Sequence, residues 1–127
     1  MNFPNYRATD ISELLGKTLT KVEGCVYGSD NIYFTTSDGK KYRMYHRQDC
    51  CECVDVDEVC GEVVNLIGQP LLMAEEISCD NGAKDKWDDS YTWTFYKLAT
   101  INGYVTIKWY GTSNGYYSES VDFEEVL

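Results

Sequence analysis

Residues 51–59, Cys51-Glu52-Cys53-Val54-Asp55-Val56-Asp57-Glu58-Val59, return at 118–126 as Ser118-Glu119-Ser120-Val121-Asp122-Phe123-Glu124-Glu125-Val126, with five of nine positions identical and four conservative. An upstream segment is echoed in the same order: Leu14-Leu15-Gly16-Lys17-Thr18-Leu19 is answered by Leu66-Ile67-Gly68-Gln69-Pro70-Leu71. Self-similarity of this kind constrains a fold more than composition does. It predicts one unit written twice, over about residues 10–60 and 62–127. A unit of roughly fifty residues buries too little apolar surface to be stable alone. The two copies are therefore expected to share one core in a single domain, 1–127, about a pseudo-twofold axis.

Local signals predict helix, strand, hairpin, loop and short strand in each copy. Asp10 followed by Glu13 has capping-box spacing; Ile11, Leu14 and Leu15 give an apolar face, and Gly16 stops the helix. Strands are expected over 19–27, 31–36 and 41–45, the last two joined by a turn at Asp38-Gly39. Asp55 with Glu58 again has cap spacing, and Val56, Val59, Val63 and Leu66 recur at helical intervals through Ile67. In the second copy, strands are expected over 71–78, 91–98 and 104–110, with a turn at Asn102-Gly103. A polar insert at 80–89, an extended stretch at 116–121 and a final helical turn capped by Asp122 complete it. An aromatic content of 14% favours strands. The predicted class is α+β and β-rich, an antiparallel sheet partly covered by short helices.

The formal net charge is -10. Such a chain repels phosphate backbones, which argues against direct nucleic-acid binding. The charge serves solubility. Its clustering at 52–62, 75–89 and 119–125 also suits an acidic surface that competes with nucleic acid for a basic partner protein. The N-terminus has no apolar run behind a basic start, and no stretch approaches the length of a membrane span. No membrane partner is expected, and the six cysteines are expected as thiols in a reducing compartment.

His46-Arg47-Gln48-Asp49-Cys50-Cys51-Glu52-Cys53 is the densest chemistry in the chain. Structural zinc needs two ligand pairs, each with short internal spacing, and a second pair is missing. Cys51 and Cys53 are answered by Ser118 and Ser120, so small semi-buried side chains account for both. No metal and no cofactor is expected. His46 with Cys50, oriented by Asp49, has the residue types of a thiolate–imidazolium pair. No oxyanion element accompanies them, and a histidine that closes a loop is the simpler account. Glu52 and Glu119 are repeat equivalents on the side of Val54 and Val121. They are an acid/base pair, a site for a basic ligand, or strand-end carboxylates that reach solvent or loop backbone. From Trp109 to Tyr117, glycines, hydroxyls and Asn114 lie between Trp109, Tyr110, Tyr116 and Tyr117. That pattern is either a stacking platform or the aromatic strand ends of a core. The loop holds the place in the second copy that the His46 loop holds in the first. The 80–89 insert lacks the carboxylate spacing of a calcium loop, and its Trp87 is a candidate partner contact. The candidate binding residues are His46, Arg47, Asp49, Glu52, Trp109, Tyr110, Asn114, Tyr116, Tyr117 and Glu119; no catalytic residue is assigned.

His46-Arg47-Gln48-Asp49-Cys50-Cys51-Glu52, Trp93-Thr94-Phe95-Tyr96-Lys97, Gly103-Tyr104-Val105-Thr106-Ile107-Lys108-Trp109-Tyr110 and Ser113-Asn114-Gly115-Tyr116-Tyr117-Ser118-Glu119-Ser120-Val121 occur together here. In these motifs the chain resembles a family of small uncharacterised bacteriophage and prophage proteins, a domain of unknown function, from about Leu14 to the C-terminus. The resemblance implies a virus-encoded protein in the bacterial cytoplasm and supplies no activity, cofactor or catalytic residue. The first expected function is non-enzymatic binding to a host protein, such as a defence nuclease, through acidic surface and exposed aromatics. The second is capture of a small nucleotide-like ligand between the two matching loops. The pseudo-twofold chain or a homodimer suits that role, with Arg43, Arg47 or Lys108 offsetting the carboxylates. An enzyme using Glu52, Glu119, Asp49 or His46 ranks last, because nucleophile elbow, phosphate loop and metal pairing are all missing.

Overall fold

Runs of β-branched and aromatic residues, closed by glycine turns, build two antiparallel sheets in the computed structural model, which describes residues 5–79 and 82–127 and, at Cys79, the backbone alone. The strands are β1 (Tyr6–Ala8), β2 (Leu19–Glu23), β3 (Asn31–Thr36), β4 (Lys41–Tyr45), β5 (Cys53–Cys60), β6 (Met73–Cys79), β7 (Ser90–Thr100), β8 (Gly103–Ser113) and β9 (Asp122–Val126). One sheet has the order β1-β9-β4-β3-β2 and the other β5-β8-β7-β6.

The expected α+β class is overturned. The fold is β-rich, and the helical segments among the described residues are two single 3-10 turns, Ile11–Leu14 and Val63–Leu66. The helix expected from Asp55 is strand β5 in its first half. Val54 and Val56 are buried there while Asp55 is exposed, so alternation of branched residues prevails over the helical spacing at 56, 59, 63 and 66. Gly61 ends the strand at φ +98, and an added Cβ would run into the Tyr104 carbonyl. Asp10 makes no side-chain cap. Glu13 instead accepts from Arg7 at 2.7 and 2.8 Å, from Thr9 at 3.0 Å and from Tyr42 at 2.8 Å. The final turn expected at Asp122 is β9, and 116–121 forms no strand. Of the expected insert, Asp80 and Asn81 lie outside the described residues.

From the echoed 14–19 and 66–71 segments onward, the order of elements recurs. A 3-10 turn precedes or meets the echo, a three-strand meander follows, and after a loop comes a last strand. The last strand leaves its own meander. β5 runs antiparallel to β8, and β9 runs antiparallel to β4. Each half therefore completes the sheet of the other, and neither half has a full sheet without the exchange. The echoed segments also hydrogen-bond reciprocally: Gly16 N–H donates to Leu71 O at 2.8 Å and Gly68 N–H to Leu19 O at 2.9 Å, with Thr18 and Pro70 bridged between them.

Ile32, Phe34, Tyr42, Met44 and Phe123 of the first sheet share one buried core with Val56, Tyr96, Leu98, Val105, Ile107 and Trp109 of the second. Tyr42 stacks on Phe123 with centroids 5.5 Å apart. Burying side chains of this size stabilises by about 1.5–3 kcal/mol each, and both sheets contribute to that core. Among the described residues no helix is long and apolar enough to cross a membrane.

Candidate binding site

The strand exchange brings the 46–52 loop and the 114–121 loop to one end of the molecule. His46 Nδ1 lies 2.7 Å from Ser120 O, and Arg47 N–H donates to Asp122 Oδ2 at 2.9 Å. Both echoed glutamates are buried here, at 3% exposure for Glu52 and 8% for Glu119. Their surroundings differ completely.

Glu52 Oε1 accepts from the Cys50 amide at 2.8 Å, from Gln48 Nε2 at 2.8 Å and from the Asp49 amide at 3.3 Å. His46 Nε2 lies 3.1 Å from Glu52 Oε2, out of line with the ring, so the contact is electrostatic rather than an aligned hydrogen bond. The two ring nitrogens thus face a backbone carbonyl and a buried carboxylate. Burial pushes the Glu52 carboxyl up; the Cys50 amide, His46 and the Asp49 amide outweigh burial and bring it down to about 2. Glu119 is held by hydroxyls: Thr92 donates at 2.8 Å and Ser113 at 2.5 Å. Burial pushes Glu119 up, and Ser113, Ser90 and Thr92 together hold it below the usual carboxylate range.

The 82–89 insert is seated on the outer face of the second sheet. Trp93 Nε1 donates to Gly82 O at 2.8 Å, Tyr110 Oη donates to Asp88 at 2.6 Å, and the Lys84 amide donates to Tyr110 Oη at 3.0 Å. Lys84 Nζ pairs with Asp57. The Tyr110 ring lies 4.6 Å from that of Trp93. Burial and Asp88 push the Tyr110 hydroxyl up to about 12.

Between insert and loops lies an open cleft of about 300 Å³. It is lined by Thr112 and Ser113 at the end of β8, by Cys51 and Glu52, by Asn114 and Tyr117, and by Trp87, Asp88 and Asp89 of the insert. No lysine or arginine is among these lining residues. The Glu52 carboxylate is fully covered, so it adds negative field behind the wall while Asp88 and Asp89 stand at the surface. Trp87 is 77% exposed, and Lys86 Nζ already sits 5.1 Å over its ring, the geometry in which an indole attracts a cation.

Of the residues expected from sequence, Glu52, Asn114 and Tyr117 line this cleft. His46 stands behind Glu52, and Glu119 is buried among hydroxyls. Trp109 is wholly within the core, and Tyr110 lies under the insert. Tyr116 is 88% exposed and Asp49 is exposed, and neither lines the cleft. Arg47 turns away to Glu124 at 2.7 Å. His46 and Cys50 do not form the pair considered above, since both imidazole nitrogens are directed at Ser120 O and Glu52. Cys51, Thr112 and Ser113 belong to the two loops expected as walls of a site and also line the cleft, whereas Asp88 and Asp89 were not expected. The signal that marks them is a tryptophan followed by two aspartates in an otherwise polar insert.

No curated protein and no solved structure matches the chain. Residues 12–123 match the family described as a domain of unknown function, DUF7448. A match over that much of the sequence shows membership, and the chain belongs to the DUF7448 family.

Proposed function

We propose that the protein is a non-enzymatic binding protein that takes a basic segment of a partner protein into the acidic aromatic cleft. One observation carries the reading: Asp88, Asp89 and the field of Glu52 face a cleft flanked by Trp87 and Tyr117 and lacking any lining cation. Carboxylates and aromatic faces together favour guanidinium and ammonium groups. The net charge of -10 extends the same field beyond the cleft and speeds encounter with a basic surface. The resemblance to small phage proteins makes the reading finer. The partner is then a host protein in the bacterial cytoplasm that handles nucleic acid, such as a defence nuclease whose basic surface the acidic protein occupies.

Capture of a nucleotide-like ligand gains less support. Arg43 donates to Asn31 at 2.8 Å and lies 3.7 Å over the Tyr45 ring, Arg47 is paired with Glu124, and Lys108 with Glu58 at 3.1 Å. A phosphate in the cleft would meet carboxylates with no cation among the lining residues.

The test is calorimetric titration of an arginine-rich peptide into the protein at low and high salt, with duplex DNA as competitor for the peptide. Binding that weakens steeply with salt and is relieved by DNA is expected. Absence of binding at low salt, or affinity indifferent to salt, removes the proposal.

A further inference from the structure

We propose that Cys50 and Cys51 are a peroxide-sensitive dithiol that closes to a vicinal disulfide at the rim of the cleft. Both thiols are free and exposed. Their sulfurs lie 2.6 Å apart, close to the bonded separation of about 2.05 Å. The Cys50 sulfur receives a second contact from the Tyr117 hydroxyl. The Cys51 thiol and the Tyr117 hydroxyl thus both contact the Cys50 sulfur. The Cys51 thiol and the Tyr117 hydroxyl are each pushed up, chiefly by their contacts with Cys50.

The other described cysteines lack this geometry. Cys25 is buried, and burial pushes its thiol up to about 11. Cys60 is half-buried, and Cys53 is exposed with no sulfur contact of this kind.

The chemistry balances with hydrogen peroxide as oxidant. The Cys50 thiolate attacks the peroxide oxygen; an S–O bond forms, the O–O bond breaks, and the departing hydroxide takes a proton to become water. Cys51 sulfur then displaces the hydroxyl from the sulfenic acid; an S–S bond forms, the S–O bond breaks, and a second water leaves with the Cys51 proton. Closing the ring constrains the Cys50–Cys51 peptide. The Cys50 amide is the donor that holds Glu52 at 2.8 Å, and Cys51 lines the cleft. Oxidation therefore reaches both the buried carboxylate and the binding surface.

The experiment treats the reduced full chain with hydrogen peroxide, then reads intact mass, alkylation with and without prior reduction, and peptide mapping. Expected is a reductant-reversible species lighter by two hydrogens, with Cys50 and Cys51 alone protected from alkylation. C51S, which installs the residue found at the echoed position 118, should stop at a sulfenic acid trapped by a cyclic diketone. C50S should give neither product, and C53S should still form the bridge. Free alkylation of Cys50 and Cys51 after peroxide overturns the proposal, as does a bridge mapped to Cys53 or between two copies. Mapping of the unaltered chain decides the matter even where a variant fails to fold.

Discussion

Trp109 Nε1 donates to Met44 Sδ across 3.2 Å, and the two residues hold the same place in the two halves. Trp109 stands opposite Val56 in the β8–β5 pairing, and Met44 stands opposite Phe123 in the β4–β9 pairing. Val56 and Phe123 are themselves echo partners. Thr18 with Pro70, and Cys50 with Tyr117, are further corresponding residues that touch. A twofold relation carries any point far from its axis to a distant image, so self-contacts of this kind arise only near such an axis.

The indole–thioether contact is fully buried, with both residues at 0% exposure. Met44→Ala removes the acceptor and opens a cavity, and a loss of about 2–5 kcal/mol is expected. Met44→Leu keeps the volume but leaves the Trp109 N–H without a partner, and a loss of about 1–3 kcal/mol is expected. Urea denaturation followed by tryptophan fluorescence measures both. A Met44→Leu variant as stable as the unaltered chain would show that the sulfur contact contributes nothing.

Acid stability follows from the depressed carboxyls. Glu13 is held at about 2 chiefly by Arg7, Asp38 at about 2 chiefly by the Thr36 hydroxyl, and Glu52 at about 2 against burial by amides and His46. A carboxyl lowered in the folded state contributes stability that is present above its unfolded value, 4.5 for glutamate and 3.8 for aspartate, and is lost as pH falls through the folded value. The melting temperature should therefore drop between about pH 4.5 and pH 2. Glu52→Gln should melt lower than the unaltered protein at neutral pH, and the difference should shrink across that window. Parallel melting curves down to pH 2 would contradict the role given to Glu52.

Strands β3 and β4 and the turn at Asp38-Gly39 were legible because alternation and turn chemistry act locally. The helix expected over 55–67 was not there, because Val54 and Val56 gain partners at Gly111 and Trp109 on a distant strand that no local window contains. The echo shows which segments correspond but not their register. A bulge at Asp57 places Glu58, not Asp57, opposite Lys108, while Glu124 stands opposite Arg43. For the same reason the equivalence of Glu52 and Glu119 was readable and their contrasting surroundings were not. The amides of one loop and the hydroxyls of β7 and β8 come from unrelated stretches of sequence. The cleft was least legible, since Trp87, Asp88 and Asp89 meet Tyr117 only after the insert folds onto Trp93 and Tyr110.

Gly111 sets how closely the second loop approaches β5. A Cβ there would lie 2.7 Å from Glu119 O and 3.1 Å from a Val54 methyl. Backbone and a strand side chain yield little, so Gly111→Ala should shift the Glu119 segment and destabilise by about 1–3 kcal/mol. Denaturant melts measure the loss. Gly39→Ala provides a contrast at an exposed turn with open space but φ +86; it should lose stability through backbone strain and leave peptide binding intact.

Binding should divide between Trp87 and the aspartates in a recognisable way. Trp87 supplies apolar area and a ring face, and aromatic anchors dominate interface energies. Trp87→Ala should weaken an arginine-rich peptide by about tenfold, mostly through faster dissociation, with the salt dependence unchanged. Asp89→Asn leaves the shape and removes one charge, so it should slow association and flatten the salt dependence. Asp88→Asn carries a second effect, because Asp88 accepts from the Tyr110 hydroxyl at 2.6 Å; it should also lower the melting temperature. Surface plasmon resonance over a salt series separates association from dissociation. Equal effects of Trp87→Ala and of a distant change such as Glu23→Gln would place the peptide outside the cleft.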